Sequence, residues 1–255
     1  MAQTNSRFFS LMVVGENPNE IIKKYGSDFI VEPYVKYKYL NAKKYQDTAI
    51  KTLGALLDKS DTIGIDPQMK DALINRLNNL KKMSSFEYYR NLTDGMYYDE
   101  DGNAISEENP NAKYNTCRLG RNFALPLILM DGSESYSALV KNVNWDVMNG
   151  ANKEPYERAW DMVVEGKEPQ TEEDKSIFKA MGDKEAYFRN FKSKEDYVAY
   201  NTAYWNYAFA DKDSWVDVDD CGDEQKWIRE YYDRFIKTLN PDDLITIFEC
   251  SINNG

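Results

Sequence analysis

The sequence predicts an α+β fold, with a mainly antiparallel sheet from N-terminal and middle strands and a helix-rich C-terminal half. Three observations predict it. Short apolar runs bounded by turn residues lie near both ends, at 7–14 and 244–250. The strongest hairpin pattern lies mid-chain, where 123–130 (FALPLILM) and 135–140 (SYSALV) flank Asp131-Gly132-Ser133. From about residue 153 onward, apolar residues recur at helical spacing behind capping residues.

Residues 7–14 (RFFSLMVV) read as a buried strand ending at Gly15. Asn17-Pro18 then starts a short helix, with Pro18 at its first position and Gly26 just past its end. A second strand is expected at 29–40, with Lys36 and Lys38 on one face and Tyr37 and Tyr39 on the other. Tyr45, Ala49, Ile50, Leu53, Leu56 and Leu57 set a helix over 43–58. Asp66-Pro67 caps another, striped by Met69, Leu73, Leu77 and Leu80. A third begins after Ser84 and stops at Gly95. The polar stretch from Tyr98 to Asn111 predicts an exposed hairpin or loop. Pro126 places the first middle strand at an edge or on a bulge.

Helices are then expected at 155–165, ending at Gly166, and at 172–181, behind a Thr171/Asp174 capping box and before Gly182. Ser193 and Asp196 start a helix over 194–209, and Trp227, Ile228, Tyr231 and Phe235 mark one over 224–239. After Asn240-Pro241, residues 244–250 (LITIFEC) form a closing strand. Seams fall near 99–113 and 149–154. The organisation read from this is an α+β part at 1–150 and a mostly helical part at 151–255, packed as one unit, with strands at both ends sharing a sheet.

Composition removes whole classes of chemistry. The 255 residues contain no histidine, which excludes Ser-His-Asp and Cys-His hydrolysis and every His-containing metal site. The three cysteines, Cys117, Cys221 and Cys250, lack metal-ligand or redox spacing and read as reduced thiols in a cytosol-like compartment. Cys117 beside Arg118 is a candidate activated thiol. Neither of the glycine-rich phosphate-binding loops is present. The apolar run from Phe8 to Gly15 is too short for a signal peptide and nothing approaches a membrane span, so a soluble intracellular protein is expected.

The formal charge of −11 repels phosphate backbones and disfavours nucleic-acid binding. Lys36, Lys38, Lys43 and Lys44 form the nearest basic patch, read as a half-exposed strand and helix start. An acidic surface also suits an inhibitor that mimics DNA. Carboxylates remain the serious catalytic candidates. Asp211, Asp213, Asp217, Asp219, Asp220, Asp223 and Glu224 cluster with only Lys212 among them. If 214–218 is a strand, Trp215, Asp217 and Asp219 share a face, and Asp217 with Asp219 could serve as an acid–base pair. Asp213, Asp217 and Asp219 are the candidate ligands for Mg²⁺ or Ca²⁺, the only cofactor the sequence leaves open. The competing reading is a solvated loop whose Asp223 and Glu224 favour the start of the next helix. The aromatic run Tyr197, Tyr200, Tyr204, Trp205 and Tyr207 has core spacing, with a ligand-stacking platform as the alternative.

The stretches 9–18 (FSLMVVGENP), 126–140 (PLILMDGSESYSALV) and 204–220 (YWNYAFADKDSWVDVDD) resemble proteins encoded by tailed bacteriophages, particularly crAss-like phages of gut bacteria. The resemblance carries no catalytic motif. It implies a viral structural or interaction protein: a virion component, an assembly factor or a protein acting on the host, in host cytoplasm or virion. Protein partners are then expected, with a homo-oligomer among the options. A carboxylate-based, metal-dependent hydrolase or nuclease and the DNA mimic are the alternatives.

Overall fold

The computed structural model describes residues 6–60, 62–120, 122–150, 152–181 and 184–253, the side chains at 177–181 excepted. It contains both helices and strands, so the α+β class holds. Two compact units result: one from 1–29 with 110–255, the other from 30–109. The seam expected near 99–113 thus borders the second unit, while both sides of residue 150 belong to the first.

The first unit opens with strand β1 (Ser6–Val14) and helix α1 (Pro18–Lys23). The second unit follows as β2 (Tyr34–Tyr37), α2 (Ala42–Asp58), α3 (Pro67–Lys82), α4 (Ser85–Leu92), β3 (Tyr97–Tyr98) and β4 (Ala104–Ser106). Strands β2, β4 and β3 pair in that order, and the Tyr98–Asn103 turn closes the expected hairpin. The strand expected over 29–40 is cut to four residues because Tyr39–Asn41 coils into a 3₁₀ turn leading to α2. Asp66 caps α3 through the backbone N–H groups of Gln68 and Met69, and Ser84 and Glu87 complete a capping box on α4.

The chain returns to the first unit as β5 (Thr116–Leu119), β6 (Leu127–Ile128), β7 (Glu134–Ser135) and β8 (Ser137–Leu139). The expected middle hairpin is therefore short. Only β6 and β7 pair, because Ser135 Oγ accepts the Ser137 N–H at a bend and hands the following strand to another sheet. Helices α5 (Trp145–Met148), α6 (Lys153–Val163), α7 (Glu172–Met181), α8 (Lys184–Asn190) and α9 (Lys194–Thr202) come next. Thr171 and Asp174 form the expected reciprocal cap on α7, while Gly182 lies outside the described residues. The rest is β9 (Ala208–Ala210), β10 (Trp215–Asp217), α10 (Val218–Cys221), α11 (Glu224–Tyr231) and β11 (Leu244–Asn253), with a π turn over 232–236 after α11.

The main sheet runs β10-β9-β1-β11-β5, with β8 also pairing to β11. The strands from the two ends of the sequence share it as expected: β1 and β11 pair antiparallel from Ser6–Asn253 to Val14–Ile245. The sheet is mixed, because β9 lies parallel to β1 while the other ladders run antiparallel. The helix expected over 194–209 stops at Thr202 for the same reason. Ala208 and Ala210 are fully buried and their backbone groups join the β1 ladder, so tertiary pairing overrides local spacing.

Both faces of the central strands are covered. Met12, Phe209, Ile245 and Ile247 point to a core closed by Trp227, Tyr231 and Phe235. Phe9, Leu11, Val13, Ala208, Ala210 and Phe248 point to the opposite core, capped by Ile22 and Tyr114. Period-two alternation with both faces apolar explains why RFFSLMVV reads as a continuous apolar run. Tyr197 and Tyr204 of the aromatic run are core residues, with Tyr197 packed against Trp160 and Tyr187 in a third cluster, while Tyr200, Trp205 and Tyr207 are half-buried.

The cysteine expectation is corrected. Cys117 on β5 and Cys250 on β11 sit directly opposite each other, 4.1 Å apart at Cα, and are joined in a disulfide. Sheet register brings together two residues 133 positions apart, which spacing along the chain cannot reveal. Cys117 is thus no activated thiol, and Cys221 is the free cysteine among the described residues.

Candidate functional site

Asp217 and Asp219 come to the same place, a pocket of about 230 Å³ at the β10 edge of the sheet in the first unit. Asp217 ends β10 and caps α10, its Oδ1 accepting the Asp220 N–H at 2.9 Å. Its Oδ2 accepts the Trp215 indole N–H at 3.0 Å and the Lys113 ammonium at 3.2 Å. Its side chain is only 8% exposed, whereas that of Asp219 is 67% exposed. Asp219 lies one residue into α10, accepts the Tyr207 hydroxyl, and pairs with Arg7 at 3.3 Å. The Arg7 guanidinium also lies 4.5 Å from the centre of the Tyr207 ring. Asp220 adds a second, longer contact to Lys113 at 3.5 Å.

Asp213 is not part of this pocket. It lies in the 211–214 turn, where Asp211 Oδ1 accepts the N–H groups of Asp213 and Ser214. Asp223 caps α11 by accepting the Lys226 N–H, the helix-start role foreseen for it. Among the described residues no group of three or more acids or cysteines is placed to share a metal ion.

The electrostatics follow from the partners. Burial pushes the Asp217 carboxyl up, but the bonds from Asp220, Trp215 and Lys113 outweigh it and hold the group below its ordinary value. Burial likewise opposes the Lys113 charge, and Asp217 and Asp220 more than restore it, raising Lys113 above its ordinary value. Burial, then the bond to Asp219, pushes the Tyr207 phenol up. Next to the pocket, burial drives Tyr114 up to about 12 while its hydroxyl donates to the Ile22 carbonyl. Every one of these groups therefore keeps a single protonation state across neutral pH.

Arg7 and Lys113 are the partners that sequence reading missed. They lie 212 and 104 residues from Asp219 and Asp217, and each in isolation is an ordinary surface cation. The one local hint is parity: Arg7 and Phe9 alternate along β1 and both line this pocket.

Fold and site together define an α+β protein whose convergent carboxylates are neutralised by its own cations. No family model matches the chain, and no curated protein or solved structure is detectably similar to it.

Proposed function

We propose that this is a non-enzymatic interaction or structural protein of a tailed phage, working through protein–protein contacts as a virion component, assembly factor or host-directed factor. Its place of action is then host cytoplasm or virion. The observation that carries the reading is the charge pairing of the acidic pocket. Asp217 is held ionised by Lys113, Trp215 and a backbone N–H, and Asp219 is taken by Arg7 and Tyr207. A catalytic acid needs a carboxyl raised toward neutral pH, and Asp217 is displaced the other way. A divalent cation would have to displace Lys113 and Arg7 from their carboxylates before binding.

The alternative is the carboxylate-based hydrolase or nuclease. Titration calorimetry with Mg²⁺, Mn²⁺ and Ca²⁺ up to millimolar concentration separates the two, run beside a phosphodiester-cleavage assay. The contact-making reading expects neither heat nor turnover. Metal binding that disappears in Asp217→Asn, together with turnover, would replace it with the hydrolase.

A further inference from the structure

The second unit fully buries few of its apolar residues. Its core consists of Ala42, Tyr89 and Ala104, with Tyr37 and Met96 against them. Gln46 pins the base of the α2–α3 hairpin, its amide donating to the carbonyls of Leu80 and Met83 at 2.9 and 2.8 Å. Between Gln46 and Leu80, Ser60 is the one described residue that is buried. Ile50, Leu53, Leu57, Leu73 and Leu77 are left half-covered, and Leu56, Ile63, Met69 and Ile74 are exposed. Helices of this length draw their stability from covering an apolar face, and two alone cover only the seam between them.

Charge says what kind of surface completes the hairpin. Residues 42–83 contain eight Lys and Arg against five Asp and Glu, a net charge of +3 in a chain of −11, so the remainder carries −14. The first unit offers a matching cleft of about 720 Å³ among α5, α6, α9 and α11. Its apolar lining comes from Trp145, Val198, Ala203, Ile228 and Tyr232. Two of its cations, Lys194 and Arg229, are already paired to Asp161 and Asp196. This leaves Lys153 outnumbered by Asp146, Glu157 and Glu195. An apolar floor with an acidic margin is the receptor for a basic amphipathic helix.

We propose that the α2–α3 hairpin of one copy docks in this cleft of a second copy, so that the chain assembles head to tail. The proposal rests on the contact-making reading above and names its partner. Because hairpin and cleft are different surfaces, the contact is heterologous and repeats into a ring or filament. Apolar contact supplies the affinity, and the opposed charges supply orientation and salt sensitivity.

The test uses the full chain, with mass measured by light scattering across concentrations and at low and high salt. Leu56→Asp with Met69→Asp disables the hairpin at exposed positions, and Ala199→Arg obstructs the cleft from an exposed position of α9. Circular dichroism establishes that both variants fold. The wild type should associate, more weakly at high salt, and each variant alone should weaken association at least about tenfold. Mixing the two should yield a one-to-one dimer and nothing larger, since one good hairpin and one good cleft remain. A wild type that stays monomeric, association untouched by either variant, or a mixture that fails to pair would overturn self-assembly. None of these results bears on the metal and turnover assays, so the contact-making reading stands or falls separately.

Discussion

Asp217 combines burial, helix capping and charge pairing in one side chain. Its carboxylate accepts three hydrogen bonds, and removing it would leave Lys113, 34% exposed at its side chain, and the Trp215 indole without that partner. Asp217→Ala should therefore cost about 2–3 kcal/mol in urea unfolding, in line with stripping a buried charged acceptor from its donors. Asp219→Asn should cost less than about 1 kcal/mol, because its pair with Arg7 is largely in solvent. Equal losses at the two positions would contradict this ranking. The acidic cluster was legible in the sequence, since seven carboxylates within fourteen residues need no alignment to notice. Their cations were not, because beyond the parity of Arg7 with Phe9 nothing in the local pattern around Arg7 or Lys113 distinguishes a pocket partner from a surface charge.

At the scale of elements, chemical start signals located helix beginnings nearly to the residue, but not helix ends. Asp66 before α3, Ser84 with Glu87 on α4, and Thr171 with Asp174 on α7 each bond the N–H groups that their positions predict. Strands read from apolar runs survived where both faces are buried, as in β1 and β11, and shrank where pairing alone decides their length, as in β2 and β6. Residues 203–209 left the expected helix because a parallel ladder to β1 was on offer, which periodicity does not reveal. The pairing of β5 to β11 is reinforced by the Cys117–Cys250 bond, closing a loop of 133 residues. Reduction or Cys250→Ala should lower unfolding stability by up to about 4 kcal/mol, read as a drop in the urea midpoint with and without dithiothreitol. An unchanged midpoint would mean that the bond adds nothing to what the ladder holds.

For the molecule as a whole, the missing histidine shapes the pH response. Asp161, Asp174, Asp196 and Asp217 are held below their ordinary values: burial opposes their charge, and hydrogen bonds and cations outweigh it. Each takes up a proton more readily in the unfolded chain. Its contribution to stability is full above the unfolded value of about 4 and is lost as pH falls through the lower folded value. Lys113 and Lys167 are held above their ordinary values, so what they contribute is present below about 10.4 and lost only at higher pH. The melting temperature should therefore be nearly flat from pH 5 to 8 and fall steeply below 4. A transition near pH 6.5 would contradict an assignment that leaves no imidazole to titrate. The two-unit organisation was the least legible feature, because the segment 30–109 carries helices, strands and turns as its surroundings do, with no low-complexity linker at its borders.

The β1–β11 pairing also sets an order of events. Strand β1 emerges more than 200 residues before the far end of its antiparallel neighbour, which is not finished until residue 253. The contiguous segment 30–109 has all its own strands and helices in hand long before that. On the ribosome, the early unit folds while β1 waits with a bare flank, and the main sheet closes only after β11 emerges. Chains arrested at residue 243 should show the 30–109 segment resisting protease and the rest degraded. Protection of residues 6–14 in such chains would show that β9 alone can hold the strand.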